Sequence, residues 1–195
     1  MNFIKLSSLA FFLYGALSFA NKIPKSILDH STLAISHNGR WVAFVDPLKR
    51  KVPEGCDQAL GDNEIDRLDL YDVKRHLTRV LVPPVMECDD PEKVIVGITE
   101  VAFSNDDQTV YFETNAWAVA GALHSVRIDG SHLRYITYSN GFAVLPKGED
   151  YGNDLAIGQH RYFIPAGSYN WYWAYTPNGK EIGPIGPDLS GFGLS

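Results

Sequence analysis

Short apolar runs, cut at recurring distances by polar turn residues, organise this chain. Thr32 to Ser36 reads as a short apolar strand. His37-Asn38-Gly39-Arg40 follows as a tight turn, because Asn-Gly supplies the positive φ that a hairpin demands. Trp41 to Val45 is rich in aromatic and β-branched residues and is predicted as the next strand. Pro47 and Pro53 are expected to end it, since proline brings no donor to a ladder. Arg67 to Lys74 alternates Leu68 and Leu70 with Asp69 and Asp72 and predicts a third strand. Leu77 to Val82 predicts a fourth, stopped by Pro83-Pro84.

The same order then returns. Leu33 to Phe44 matches Val101 to Phe112, with identities at Ala34/Ala102, Ser36/Ser104, Val42/Val110 and Phe44/Phe112. Ile98 to Ser104 and Val110 to Thr114 are its first two strands. Leu123 to Arg127 matches Leu70 to Lys74 as the third, and Asp129-Gly130 turns the chain into His132 to Tyr138. The first strands are 68 residues apart and the third strands 53, so the first copy carries 15 extra residues around Lys49 to Asp66. Long hairpin insertions of this kind lie on the surface and often carry function. A third, more degenerate copy runs through Asp154 to Gly158, Arg161 to Pro165, Trp171 to Thr176 and Lys180 to Pro184, with Gly179 standing where Gly130 stands. Beyond the first twenty residues no segment sustains a 3.6-residue apolar period. Such self-similarity marks a repeat architecture. The expected fold is all-β: about three four-stranded repeats, at roughly 31–84, 95–145 and 151–187, within a single domain 21–195.

The first twenty residues stand apart. Lys5, the apolar run from Leu9 to Leu17 and the small-x-small Ser18-Phe19-Ala20 have the layout of a secretory signal peptide. The run is short for a membrane span, which needs about 20 residues. The mature chain is therefore expected to be secreted or periplasmic, without a membrane span. The net charge is −6, and one unit more negative once Lys5 is removed, which disfavours nucleic acid as a partner. In an exported chain the pair Cys56 and Cys88 reads as a disulfide. A redox role is disfavoured by the spacing, and a zinc site would need further ligands.

Ser36-His37-Asn38-Gly39-Arg40-Trp41-Val42-Ala43-Phe44 resembles the S-P-D-G-K-x-I-A-F blade motif of TolB-like β-propellers, also described as WD40-like (PD40) repeats. Ser104 to Phe112 resembles it again. Leu123 to Thr137, with Val126, Asp129-Gly130, Leu133 and Ile136-Thr137, is similar to that family's second half-blade. The resemblance implies periplasmic or extracellular scaffolding, or a non-catalytic domain attached to an enzyme. The proline after serine is missing in both copies, replaced by His37 and Asn105. Propellers close with about 4 to 8 blades, so three units leave open ends. Two chains pairing into a six-bladed homodimer, termini folded over the edges, or a compact open arrangement would each answer this, and an open monomer is the expected form.

No catalytic motif stands out: G-x-S-x-G, H-E-x-x-H and phosphate-cradling glycine loops are all missing from the sequence. His124 and His132 fall on neighbouring expected strands and are weighed as a metal pair against ordinary strand histidines. Asp62 to Asp66 and Asn105 to Asp107 are oxygen-rich, which suits calcium or, more simply, turns. Neither a metal nor a cofactor is expected. Trp171-Tyr172-Trp173-Ala174-Tyr175 is the densest aromatic run; on a strand Trp171, Trp173 and Tyr175 share one face and Tyr172 takes the other. One face is core and the other a platform for a ligand, with Arg161 beside it as a polar contact. The functional expectation is a non-catalytic binding module for a protein or other extracellular ligand. An exported hydrolase and a structural part of an envelope complex are the alternatives.

Overall fold

The structure, a computed structural model, describes residues 22–53, 64–87, 89–90, 92–117, 120–146, 156–165, 167–187 and 189. The expected signal peptide (1–20), Cys56 and Cys88 lie outside the described residues.

The described chain is all-β apart from one helical turn, α1 (Lys25–Leu28). Four strands build the first sheet: β1 (Leu33–Ile35), β2 (Trp41–Lys51), β3 (Glu64–Asp72) and β4 (Leu77–Val82). The second holds β5 (Ile98–Phe103), β6 (Thr109–Trp117), β7 (Ala120–Arg127) and β8 (Arg134–Ser139). In the third are β9 (Phe142–Val144), β10 (Ala156–Ile164), β11 (Gly167–Tyr175) and β12 (Glu181–Gly186). Each sheet keeps its strands in sequence order and every pair is antiparallel. β1 approaches β5 and β5 approaches β9, so the first strands of successive sheets lie next to one another. The three sheets are propeller-like blades in an open arrangement.

The shared turn accounts for the repeated sequence pattern. In the first sheet the Ser36 hydroxyl donates to Asn38 Oδ1 (3.0 Å) and accepts the Trp41 N–H (2.9 Å), while Asn38 Oδ1 accepts the Arg40 N–H (2.8 Å). The second sheet repeats this with Ser104, Asp106, Thr109 and Gln108 at 2.6, 3.0 and 2.9 Å. Two residues before the second strand begins, each turn needs a left-handed backbone, supplied by Gly39 (φ 68°) and by Asp107 (φ 59°). Serine and Asn/Asp oxygens bonding to nearby N–H groups are what makes these residues turn formers.

Two strand assignments differ from the sequence expectation. β2 does not stop at Pro47 but runs to Lys51, with a register shift between Pro47 and Arg50 and a left-handed Lys49 (φ 53°). The Val45 N–H points to Thr32 on the β1 side, so the nitrogen of Pro47 also faces that side, beyond the end of β1, and no ladder bond is lost. In the third sheet the first strand is Phe142–Val144, and the segments expected as strands one and two fall on a single strand, β10. β10 then continues against β11 out to Ile164 opposite Gly167.

Packing follows strand parity. One side of the first sheet (Ala43, Leu68, Leu70, Leu81) meets Val101, Phe103, Val110, Phe112 and Val126 of the second. The far side of the second (Tyr111, Leu123, Ile136) meets Phe142 and Val144 of the third. The remaining face of the first sheet carries Val42, Phe44, Tyr71 and Val73, and the segment around α1 covers it with Ile23 and Ile27, both 6% exposed.

Candidate functional site: a groove between the first two sheets

Antiparallel order sends two sets of connections to opposite ends. The tight β1–β2 and β3–β4 turns lie at one end. The β2–β3 connection and the β4–β5 link leave at the other, as the pairing of Leu68 with Val82 requires. At this second end a groove of about 490 Å³ opens between the first two sheets. Its lining includes Asp29, His30, Thr32, Asp66, Thr99 and Asn115, with Val45, Pro47 and Ile98 as apolar walls. Hydroxyl, amide, imidazole and carboxylate groups thus share one concave surface with apolar walls, the combination from which binding sites are built.

Asp66 fixes the floor. Its Oδ1 accepts the Gly97 N–H and its Oδ2 the Ile98 N–H, both at 2.9 Å, so the first sheet holds the opening of β5. Burial pushes its carboxyl above the ordinary range, and the N–H groups of Ile98 and Gly97 pull back against that rise. Gly97 adopts φ 63°, and a Cβ there would lie 2.7 Å from Asn115 Nδ2. The second junction uses the same device: Glu113 accepts the Gly141 N–H at 2.8 Å, just before β9. A glycine before an inner strand and an acid on the sheet before it thus recur together. That pairing went unread in the sequence, although Asp66 bounds the insertion and Gly97 stands alone before an apolar run.

His30 rests on Phe44 with ring centroids 4.6 Å apart, which brings the segment after α1 to the groove rim. Asp46, Arg67 and Asp69 form a linked ion-pair set at 2.8 and 2.9 Å on the face that α1 borders. The register makes Asp69, and not Tyr71 as the expected match of Leu123–Arg127 with Leu70–Lys74 implies, the counterpart of His124, since Phe44 pairs with Asp69 as Phe112 pairs with His124.

The histidines weighed as a metal pair are set apart by role. His124 is 1% exposed, stacked on Phe112 at 5.2 Å and 3.2 Å from the Thr114 hydroxyl. Burial pulls its pKa down to about 4, so it is neutral at pH 7. His132 sits in the loop before β8, its Nδ1 2.9 Å from the Ser131 hydroxyl. Among the described residues no group of three or more His, Cys, Asp or Glu could hold a metal ion. Asn105 to Asp107 is a turn, and Asp62 and Asn63 lie outside the described residues.

The aromatic strand is β11. Trp171, Trp173 and Tyr175 alternate with Tyr172, and Trp171, Tyr172 and Trp173 are half-buried. Tyr175 is buried, its hydroxyl 3.5 Å from both the Thr137 hydroxyl and Glu181. Tyr172 packs with Leu145, Ile185 and Leu189 on the other side. Arg161 pairs with Asn170 in the β10–β11 register.

No protein-family model and no curated protein sequence matches this chain. Several solved structures are similar to it. The β-propeller domain of the Trilobed protease from Pyrococcus furiosus aligns at 15% identity and a TM-score of 0.47, over 79% of this chain and 42% of that one. Dipeptidyl peptidase 4 of Porphyromonas gingivalis aligns at 14% identity and 0.48, over 79% and 24%. A putative TolB from Agrobacterium tumefaciens aligns at 12% identity and 0.39, over 80% and 67%. This chain spans less than half the length of the first of these. No helix among the described residues is long and apolar enough to cross a membrane.

Proposed function

We propose that the chain is an exported, non-catalytic binding module with TolB-like (PD40) repeats, and that it recognises a partner protein through the groove between its first two sheets. The observation that supports this most is the groove itself: a concave surface that combines polar groups with apolar walls and whose floor is locked by Asp66. A rigid floor lowers the ordering cost of binding. Trp171 and Tyr172 on β11 supply a second contact, with Arg161 beside them. Residues 1–20 direct export.

Cys56 and Cys88 form a disulfide in this reading. What supports it is local: Val52 and Met86, which flank the two cysteine-bearing segments, pack into one cluster with Val94 and Val96. A link between those segments would stabilise the fold by about 3–4 kcal/mol. Intact mass before and after reduction checks this, with a gain of about two hydrogens expected on reduction.

Photo-crosslinking residues placed at Thr32 and Thr99 in the groove, and at Ile182 away from it, test the function in the host's envelope and medium fractions. One defined protein adduct from Thr32 and Thr99, and none from Ile182, is the expected result. Equal labelling from all three positions, or turnover of ester, peptide or glycoside substrates by the purified protein, would overturn it.

A further inference from the structure

A second groove, of about 440 Å³, lies at the opposite end of the first sheet, between the segment leading into α1 and the β1–β2 and β3–β4 turns. Lys22, Arg40, Lys74 and His76 line it together with Asn38 and Gly39. Among the described lining residues there are three cations and no carboxylate, on a chain whose net charge is −6.

The repeat separates what the scaffold needs from what it does not. His37-Asn38-Gly39-Arg40 and Asn105-Asp106-Asp107-Gln108 make the same turn with the same internal hydrogen bonds. The second copy does it with two carboxylates and a glutamine. In the first, those positions hold Asn38, Gly39 and Arg40, so both negative charges are gone and a positive one has been added. The carboxylate missing at Gly39 is the one that Asp107 uses to clasp the preceding sheet, so its loss has a scaffold reason, whereas folding of the turn does not demand the positive charge of Arg40.

The Arg40 guanidinium and the backbone beneath Lys74 are also held in place. The Arg40 guanidinium lies 4.5 Å from the Trp41 ring centroid and 3.3 Å from Asp72 Oδ2. Asp72 lies buried beneath the groove, and its Oδ1 is taken by the N–H groups of Lys74 (2.9 Å) and Arg75 (3.1 Å). His76 holds a left-handed backbone (φ 54°), and its Nδ1 is 3.0 Å from the hydroxyl of buried Tyr71. A planar guanidinium stacked on an indole keeps its remaining donors aimed outward, which suits bidentate capture of an oxyanion.

We propose that this groove binds a compact multivalent oxyanion, carried by phosphoryl or carboxyl groups, which bridges Lys22 on the N-terminal segment to Arg40 and Lys74 on the first sheet. The ligand would fasten the covering segment to the sheet, so its binding and the docking of α1 reinforce each other. This assignment is independent of what the other groove recognises.

Calorimetric titration of the full chain with inorganic pyrophosphate and with citrate tests it, at low salt and again at high salt. Pyrophosphate or citrate is expected to bind saturably at one site, to bind at least ten-fold more weakly to Arg40→Gln and Lys74→Gln, and to bind unchanged to Lys180→Gln. The response to the two anions separates a phosphoryl source from a carboxyl one. Amide exchange at Ile23 and Ile27 should slow when the anion is present. If Arg40→Gln proves unfolded by circular dichroism, exposed Lys74 carries the comparison. Absence of saturable binding by both anions, or equal weakening by Lys180→Gln, would overturn the assignment.

Discussion

His124 shows how one residue type reports burial that its sequence position conceals. Its ring lies between Phe112 and Tyr135, and burial holds its pKa near 4 against an ordinary value of 6.5. The unfolded chain therefore takes up a proton between pH 6.5 and 4 that the folded one refuses. Stability falls as pH drops through that window, by up to about 1.4 kcal/mol per pH unit from this group. Denaturant unfolding of the native chain and of His124→Gln at pH 7, 5.5 and 4.5 checks it: the difference between the two should shrink on acidification, because the glutamine variant has no proton to gain. The sequence placed His124 on the third strand of the second sheet. It did not disclose that the strand's inner neighbours were Phe112 and Thr114, since those contacts come from the β6–β7 register and the first sheet above it.

At the scale of elements, turns were legible and the clasps between sheets were not. The Ser-x-Asn/Asp signature bonds within five residues, so the sequence carries the whole of its chemistry. Asp107 does more than turn the chain. Its Oδ1 accepts the His37 N–H (2.7 Å), its Oδ2 accepts the Asn38 N–H (2.9 Å), and the His37 ring nitrogen lies 2.9 Å from Oδ1. That reach across about seventy positions depends on how the sheets dock. Asn105 repeats the gesture toward the Leu145 carbonyl of the third sheet. Outer strands do likewise: Arg79 donates to the Ile128 carbonyl and Arg134 to that of Pro177 (2.7 Å), each just before an Asp-Gly or Asn-Gly turn. Replacing Asp107 with Ala should cost about 1–3 kcal/mol, because two backbone donors lose their acceptor and an alanine is left in a left-handed turn. Asp106→Ala at the neighbouring position should cost less, and paired urea titrations measure the difference. The third sheet escaped a full sequence reading for a related reason. Its first strand is only Phe142–Val144, and no Ser-x-Asp turn follows it to mark the hairpin.

For the whole molecule, the open end of the stack is the problem that three sheets pose. The face bearing Val42, Phe44 and Tyr71 corresponds to the one on which the first sheet sits in the next repeat, and here α1 lies on it. A helix of four residues leaves no periodic trace, so sequence reading placed nothing there. Ile27→Ala should remove about 2 kcal/mol of stability or more, since a buried side chain loses most of its contacts. Light scattering should show the native chain as a monomer and the variant as larger species, because the uncovered face is apolar and complementary to another sheet.

Binding at the groove between the first two sheets is the claim on which the functional account stands. Thr99 is exposed on its wall, and a tryptophan there would fill the space without touching the Asp66 clamp. The dissociation constant for the crosslinked partner, measured side by side for the native chain and Thr99→Trp, is the most direct test. The account predicts at least a hundred-fold weakening, about 2.7 kcal/mol, with an unchanged unfolding midpoint. Equal affinity in a folded Thr99→Trp variant would contradict it.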